Sequence, residues 1–204
     1  SSAASDVYKR QRWGRVMEGA GEDPYYGAKV AAARVCGLQG DDLSADSTIL
    51  ACIKHFVGYG AVVAGKDYNS VDMSWGHFAN FYMPPYKAGV EAGAATVMSA
   101  FNDFENRPCT GNEDLLRGLL KEKWGFQGFV VSDWGSVGEM VNHRYAKDQK
   151  EAANKAIMAG LDMEMVSECY AQNLADLVRE KKVPEALLDL SLIHISEPTR
   201  QEAI

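Results

Sequence analysis

Apolar stretches of strand length alternate with segments of helical periodicity along the chain. Each stretch is rich in apolar or β-branched side chains and is followed by polar residues, which is typical of a buried strand. The pattern predicts four strands, at Ser47–Ile53, Ala95–Ser99, Gly128–Ser132 and Leu161–Met165.

Helical patterns lie between these strands. Asp23 and Pro24 form a typical N-cap and first helical residue, so a helix is predicted from Pro24 to a stop at Gly37. Asn112 is predicted to cap the helix Glu113–Trp124, whose leucines at 115, 116, 119 and 120 fall on one face. Further helices are predicted from near Pro84 to residue 93 and over residues 150–159 and 171–181.

This alternation predicts an α/β fold with a parallel sheet. The rhythm alone does not decide between an open doubly wound sheet and an eight-stranded barrel, which needs about 250 residues. In both folds the functional side chains lie at the carboxyl ends of the strands. The polar groups at these ends, which we expect to converge on one rim, are Lys54 with His55, Ser99 with Asn102, and Ser132–Trp134.

The two ends of the chain depart from the patterning of their neighbours. Residues 1–11 and 190–204 resemble translated sequencing-adapter sequence, so we exclude them from the fold prediction. On this interpretation residues 12–189 are a piece of a longer protein, cut on both sides.

Composition narrows the class of ligand. A chain with 47% hydrophobic and 24% charged residues is typical of a globular protein. A net charge of −7 argues against a nucleic-acid partner and favours a neutral or cationic small ligand. No apolar run approaches the roughly 18 residues needed to span a bilayer, so no membrane partner is expected.

The cysteines and histidines show no metal-binding spacing. The cysteines are far apart in the sequence, and we expect them to be buried free thiols. They are Cys36, Cys52, Cys109 and Cys169.

Asp133 is the strongest candidate for chemistry. A carboxylate directly after a buried strand and next to Trp134 is suited to a sugar, because a sugar offers hydroxyl groups and an apolar face. The alternative is that Asp133 caps the following helix at Ser136 and Val137. Lys54 and His55 could likewise donate hydrogen bonds to ligand hydroxyls or form a solvated strand end.

Two further segments are weaker candidates. Gly58–Gly65 is rich in glycine but lacks the G-x-G-x-x-G spacing of a dinucleotide loop. The triplet Lys66–Tyr68 could contact a ligand or form a solvated turn.

Several motifs occur together in a recognisable order. They are Arg12–Arg15 (RWGR), Gly21–Pro24 (GEDP), Lys54–Phe56 (KHF), Tyr68–Ser74, Tyr82–Gly89, Ser132–Trp134 (SDW) and Ala159–Met163. In this order and spacing residues 12–189 resemble the catalytic barrel of glycoside hydrolase family 3. The resemblance implies a partial (β/α)8 TIM barrel, the C-terminal half to two-thirds of the domain.

The resemblance also implies residue roles. Asp133 would be the catalytic nucleophile, with cationic Arg15 and Lys54 favouring its ionised form. Arg15, Lys54 and His55 would bind the hydroxyls of the sugar, and Trp134 would shape the site. The implied activity is that of a retaining exo-β-glycosidase that removes terminal non-reducing glucose or xylose through a glycosyl-aspartate intermediate. Such a mechanism needs no metal or organic cofactor.

The implied acid/base lies outside the chain. In the β-glucosidase and β-xylosidase branch it is a glutamate from a following α/β-sandwich domain, whereas the hexosaminidase branch uses an Asp-x-His pair that Val57–Ala61 lacks. The expected partners are therefore an oligosaccharide or β-glycoside, the N-terminal part of the barrel and the sandwich domain, and the chain alone is expected to be inactive.

Some features leave alternatives open. The resemblance also places Phe101 among the substrate-binding residues, at a position where many members have tyrosine, so a hydroxyl near the nucleophile is expected to be lost. A non-catalytic sugar-binding paralogue is the alternative function. A periplasmic or secreted location is plausible for the intact protein.

Overall fold

The computed structural model describes the backbone of residues 13–196 and the side chains of residues 13–192. The predicted adapter segment 1–11 and the last part of the second, 197–204, lie outside the described residues. Residues 190–196 belong to the last helix, and their origin stays a prediction. The chain divides into two compact units, the first ending at Asn106 and the second beginning at Arg107.

The first unit contains two pairs of parallel strands. β1 pairs with β3, with Cys52 opposite Thr96, and β2 pairs with β4. Its strands and helices are α1 (Pro24–Gln39), β1 (Cys52–Phe56), β2 (Ser70–Val71), α2 (Trp75–His77), a π-helical segment (Phe78–Tyr82), α3 (Met83–Glu91), β3 (Thr96–Ser99) and β4 (Asp103–Phe104), with short 3-10 turns at Val16–Glu18, Tyr59–Ala61 and Val63–Gly65.

The second unit is built around the parallel pair β6 and β7, with Val131 opposite Met163. Its elements are β5 (Arg107–Pro108), a 3-10 turn (Cys109–Gly111), a π-helix (Asp114–Lys123), β6 (Phe129–Trp134), α4 (Ser136–Asn142), α5 (Gln149–Ala159), β7 (Met163–Met165), α6 (Cys169–Arg179) and α7 (Glu185–Ser196). Both units thus have the parallel α/β architecture that the sequence predicts.

The predicted stop of α1 at Gly37 is wrong, because the helix continues to Gln39 and ends at Gly40, where φ is +59°. The buried Gln39 side chain explains the extra turn. Its amide donates to the carbonyl of Gly93 at 2.8 Å and accepts from the amides of Ala51 (3.0 Å) and Ala95 (2.8 Å). The end of α1 is therefore held against the chain entering β1 and β3.

The first strand lies later than predicted. Ser47 and Thr48 belong to a turn in which the Thr48 hydroxyl donates to the carbonyl of Ala45 at 2.9 Å. The strand begins only at Cys52, so Lys54 and His55 are part of β1 and do not follow it.

Two smaller expectations concern a helix of the first unit and the cysteines. The helix predicted from near Pro84 is confirmed as α3, which begins at Met83. The short helix α2 before it was not predicted, and the Ser74 hydroxyl caps it by accepting a hydrogen bond from the amide of His77. None of the four cysteines, all of which lie in the described part of the chain, forms a disulfide, as predicted, but Cys36 is exposed and Cys52 is only half-buried.

The leucine pattern of the second unit is confirmed. All four predicted leucines of the Asp114–Lys123 helix are buried. Lys121 on the same helix forms an ion pair with buried Asp162, with 2.7 Å between Nζ and each carboxylate oxygen. Asp162 Oδ2 also accepts from the amide of Val130, and Ser191 Oγ lies 3.3 Å from Oδ1. One carboxylate thus joins a helix to the start of β6.

We expect Asp162→Ala to lower the free energy of unfolding by about 3–5 kcal/mol, because it leaves a buried lysine without its counter-ion. The matched control is Asp176→Ala, which removes an exposed carboxylate paired with Arg179. Exposed pairs contribute at most about 1 kcal/mol, so this variant should be nearly neutral. Urea denaturation of both variants measures the difference, and equal losses would contradict the role given to Asp162.

Candidate active site

The end of β1 presents Lys54 and His55. Lys54 is half-buried and the His55 side chain is 3% exposed. The Tyr86 hydroxyl donates to the His55 carbonyl at 2.7 Å and so fixes the strand at this residue. The peptide bonds Lys54–His55 and Phe56–Val57 are both cis.

Tyr59 connects the candidate residues of the first unit. Its ring packs edge-on against His55, with 4.8 Å between centroids, and against Phe101 at 5.9 Å. The Arg15 guanidinium lies 5.4 Å from the centre of the same ring. The turn that delivers Tyr59 starts at Gly58, whose φ of +79° favours glycine.

Aromatic rings surround this residue. Tyr59 packs on Trp13 at 5.1 Å, and Phe101 packs on the half-exposed Tyr68 at 4.5 Å. We call these four residues, Trp13, Tyr59, Tyr68 and Phe101, the aromatic cluster. Tyr59 covers one side of the His55 ring, and the edge of the cluster formed by Tyr68 is open to solvent.

Arg15 is held in a two-point ion pair with Glu18. The guanidinium donates to the two carboxylate oxygens at 2.6 and 2.8 Å. These bonds raise the pKa of Arg15 and lower the pKa of Glu18. A side-chain hydrogen bond with Tyr59 also raises the pKa of Arg15, and the guanidinium keeps its charge.

Burial sets the protonation of the two rings beside Arg15. Burial lowers the pKa of His55 to about 3, and positive charges on Arg15 and Lys54 act in the same direction. Burial also raises the pKa of Tyr59. Both rings are neutral near pH 7, so His55 can donate or accept a hydrogen bond but carries no charge.

The triplet Lys66–Tyr68 combines the two roles considered from the sequence. All three residues are exposed, yet Asp67 accepts a hydrogen bond from the Trp13 indole at 3.3 Å. Tyr68 in turn covers Phe101. The loop therefore supports the aromatic cluster, in addition to facing solvent.

Asp133 lies in the last part of β6 and is 7% exposed. Its Oδ1 accepts a hydrogen bond from the amide of Trp134 at 2.7 Å. The cap of α4 is Gly135, so the alternative in which Asp133 caps the helix is wrong. The Trp134 side chain is 61% exposed and presents an apolar surface beside the carboxylate.

The structure thus brings together two sets of predicted residues. In the first unit Arg15, His55 and Phe101 share contacts with Tyr59, and Lys54 adjoins His55. In the second unit Asp133 adjoins Trp134. That both sets form one rim stays a prediction.

Sequence reasoning missed Tyr59, Glu18 and the bond from Trp13 to Asp67. A polar residue inside the glycine-rich Gly58–Gly65 stretch was the available signal for Tyr59. That stretch folds into 3-10 turns. Within residues 13–196 no group of three or more His, Cys, Asp or Glu side chains is arranged to hold a metal ion. The same part of the chain contains no helix long and apolar enough to cross a membrane.

Comparison with known proteins identifies the family. Residues 2–197 match the Glycosyl hydrolase family 3 N terminal domain, so this chain belongs to glycoside hydrolase family 3. The fold is the TIM-barrel type of α/β fold that this domain adopts.

Similar proteins include enzymes for two sugars. The chain is 42% identical to a periplasmic β-glucosidase of Salmonella typhimurium over 190 residues, covering 93% of this chain and 25% of the relative. It is 34% identical to a xylan 1,4-β-xylosidase of Xylanibacter ruminicola, covering 94% of this chain and 23% of that one. The structure of a β-glucosidase from Listeria innocua in complex with glucose matches 97% of this chain and 28% of that one, with 42% identity and a TM-score of 0.94. The chain therefore spans about a quarter of the length of these relatives.

We expect the His55 imidazole to remain neutral on acidification until the pH approaches 3. Its folded pKa lies below the ordinary 6.5, so below pH 6.5 the unfolded state binds a proton that the folded state does not. The stability contributed by His55 is complete above pH 6.5 and is lost as the pH falls from 6.5 toward 3. NMR titration of labelled histidine should show one imidazole without a shift change down to pH 5. The stability advantage of wild type over His55→Gln should shrink over the same range, and an imidazole at residue 55 that titrates near 6.5 would contradict the assignment.

Proposed function

We propose that the intact protein is a retaining exo-β-glycosidase and that Asp133 is its nucleophile. The observation that carries this proposal is a buried carboxylate at the end of β6, flanked by an exposed tryptophan, in a chain that belongs to glycoside hydrolase family 3. Its position agrees with the rule that the chemistry of a barrel lies at the carboxyl ends of the strands.

In the proposed reaction the Asp133 carboxylate is the nucleophile of the first step and the leaving group of the second. Asp133 attacks the anomeric carbon and forms a glycosyl-aspartate ester, while an acid protonates the departing glycosidic oxygen. Water then attacks the same carbon, its proton passes to the conjugate base of that acid, and the aspartate leaves. The sugar is released with its original configuration at the anomeric carbon.

The first unit supplies the sugar-binding residues in this proposal. Charged Arg15 and Lys54 would donate to hydroxyl oxygens, and neutral His55 would act as donor or acceptor. Because the Tyr59 contacts hold Arg15 and His55 in place before sugar binds, little ordering would be needed on binding. Trp134 would pack on the apolar face of the sugar ring.

The acid/base is proposed to come from another domain of the intact protein, as in the β-glucosidase branch that the sequence resembles. Tyr59 in the Val57–Ala61 loop is a poor substitute, since its hydroxyl is buried and its pKa is raised. We therefore expect residues 1–204 alone to release no sugar.

The glycone is proposed to be glucose or xylose. Relatives of similar coverage include a β-glucosidase and a β-xylosidase, and the structure from Listeria innocua is a complex with glucose. By the same comparison with the periplasmic enzyme we propose a periplasmic location for the intact protein.

Trapping with 2-deoxy-2-fluoro sugars tests the nucleophile. The intact protein, recovered by extending the coding sequence on both sides, should be labelled by the activated 2-fluoro glucoside or xyloside. Peptide mass spectrometry should then find the adduct on Asp133. An adduct on another residue would overturn the assignment, and a folded protein that no sugar labels would favour the sugar-binding paralogue.

Asp133→Asn separates the enzyme from that paralogue. The amide keeps the shape of the carboxylate but is a far weaker nucleophile, so turnover should fall at least about 1,000-fold, on the scale of losing a principal catalytic group. Sugar binding, followed by calorimetry, should change much less. The matched control is Asp176→Asn, an exposed helix carboxylate whose loss should leave both measurements unchanged.

A further inference from the structure

β6 and β7 lose register at the candidate nucleophile. Val131 lies opposite Met163 and Trp134 opposite Met165, so β6 advances three residues where β7 advances two. The extra residue forms a bulge at Ser132 and Asp133. A bulge interrupts the hydrogen bonds between strands and redirects the side chains at that position.

The Ser132 hydroxyl occupies this interruption. Its oxygen accepts a hydrogen bond from the amide of Met165 at 2.8 Å and donates to the carbonyl of Asp133 at 2.9 Å. Ser132 is fully buried, so water has no access to replace either bond. The side chain thus adds a strand-to-strand hydrogen bond at the bulge and holds the peptide of Asp133.

Neighbouring bonds fix the strand on both sides of the bulge. Before it, Val130 exchanges hydrogen bonds with Asp162, donating its amide to the carboxylate and accepting from the amide of Asp162. After it, the amide of Gly135 donates to the carbonyl of Met165 at 2.9 Å. Between these points the Ser132 hydroxyl connects β6 to β7 alongside the backbone pairing of Val131 with Met163 and of Trp134 with Met165.

We propose that Ser132 is a positioning residue that sets the direction of the Asp133 carboxylate through the bulge. The expected effect on catalysis rests on the proposed role of Asp133 as nucleophile. The expected effect on the position of the Asp133 carboxylate does not depend on that role. A displacement of about 1 Å can slow a reaction about 100-fold, so a missing hydroxyl at this point should affect chemistry more than binding.

The test compares three variants of the intact protein. Ser132→Ala removes both hydrogen bonds, and Ser132→Thr keeps the hydroxyl and adds one methyl group. The matched control is Thr96→Val, at the start of β3. It removes another buried hydroxyl, which donates to the carbonyl of Ala51. Each is incubated with the 2-fluoro sugar that labels wild type, and the labelling rate constant and the sugar dissociation constant are measured separately.

We expect Ser132→Ala to lower the labelling rate constant by about 10- to 100-fold with the dissociation constant changed less than about 3-fold. Ser132→Thr should restore the rate to within about 3-fold of wild type, and Thr96→Val should keep it. If Ser132 had a structural role alone, Ser132→Ala and Thr96→Val would both have a lower melting temperature. The labelling rate constant of each variant would then equal that of wild type. That result would overturn the proposal.

Crystal structures of the variants make the outcome independent of activity. In Ser132→Ala the Asp133 carboxylate should be displaced from its wild-type position, whereas in Thr96→Val it should not. An unmoved carboxylate in Ser132→Ala overturns the proposal even if wild type labels well. If wild type is never labelled, the proposed function fails, and the displacement still decides the role of Ser132.

Discussion

The pairing of β6 with β7 is the constraint on which the candidate nucleophile depends. Side-chain hydrogen bonds reinforce this pairing on both sides of the irregular stretch of the backbone ladder. The Asp162 carboxylate binds the amide at the start of β6, and the Ser132 hydroxyl bridges the bulge near its end. A carboxylate on a strand held at both points is pre-organised, which is what attack on a fixed carbon requires.

In the first unit it is burial that determines the chemical state of the candidate residue His55. Burial, to which the packing of Tyr59 contributes, removes water from His55 and keeps the imidazole neutral beside Arg15 and Lys54. A charged guanidinium and a neutral imidazole are both in contact with one tyrosine ring, so a strong donor lies close to a group that donates or accepts. The neutrality of His55 below pH 6.5 therefore follows from packing, since an exposed imidazole would take up a proton in that range.

The local sequence pattern predicted helices correctly where the periodic apolar residues are also the buried ones. The leucine face of the Asp114–Lys123 helix and the α5 pattern were confirmed because each side chain there meets its own unit's core. The predicted end of a helix was wrong where a contact with a residue distant in sequence determines that end. Helix α1 continues past Gly37 because the Gln39 side chain donates a hydrogen bond to the carbonyl of Gly93, which is 54 residues further along the chain. The sequence around Gly37 carries no signal of that bond.

The sequence by itself determined the parallel α/β class and the family, and it selected Asp133, Arg15, Lys54 and His55 as candidates. These follow from motif order and from the alternation of apolar runs, which are properties of the chain as written. Only the tertiary structure decided that Tyr59 joins Arg15 to His55, that His55 is neutral, and that Ser132 bridges a bulge. Each of these depends on groups brought within bonding distance by folding, and neither hydration nor hydrogen-bond partners can be read from one residue's neighbours in sequence.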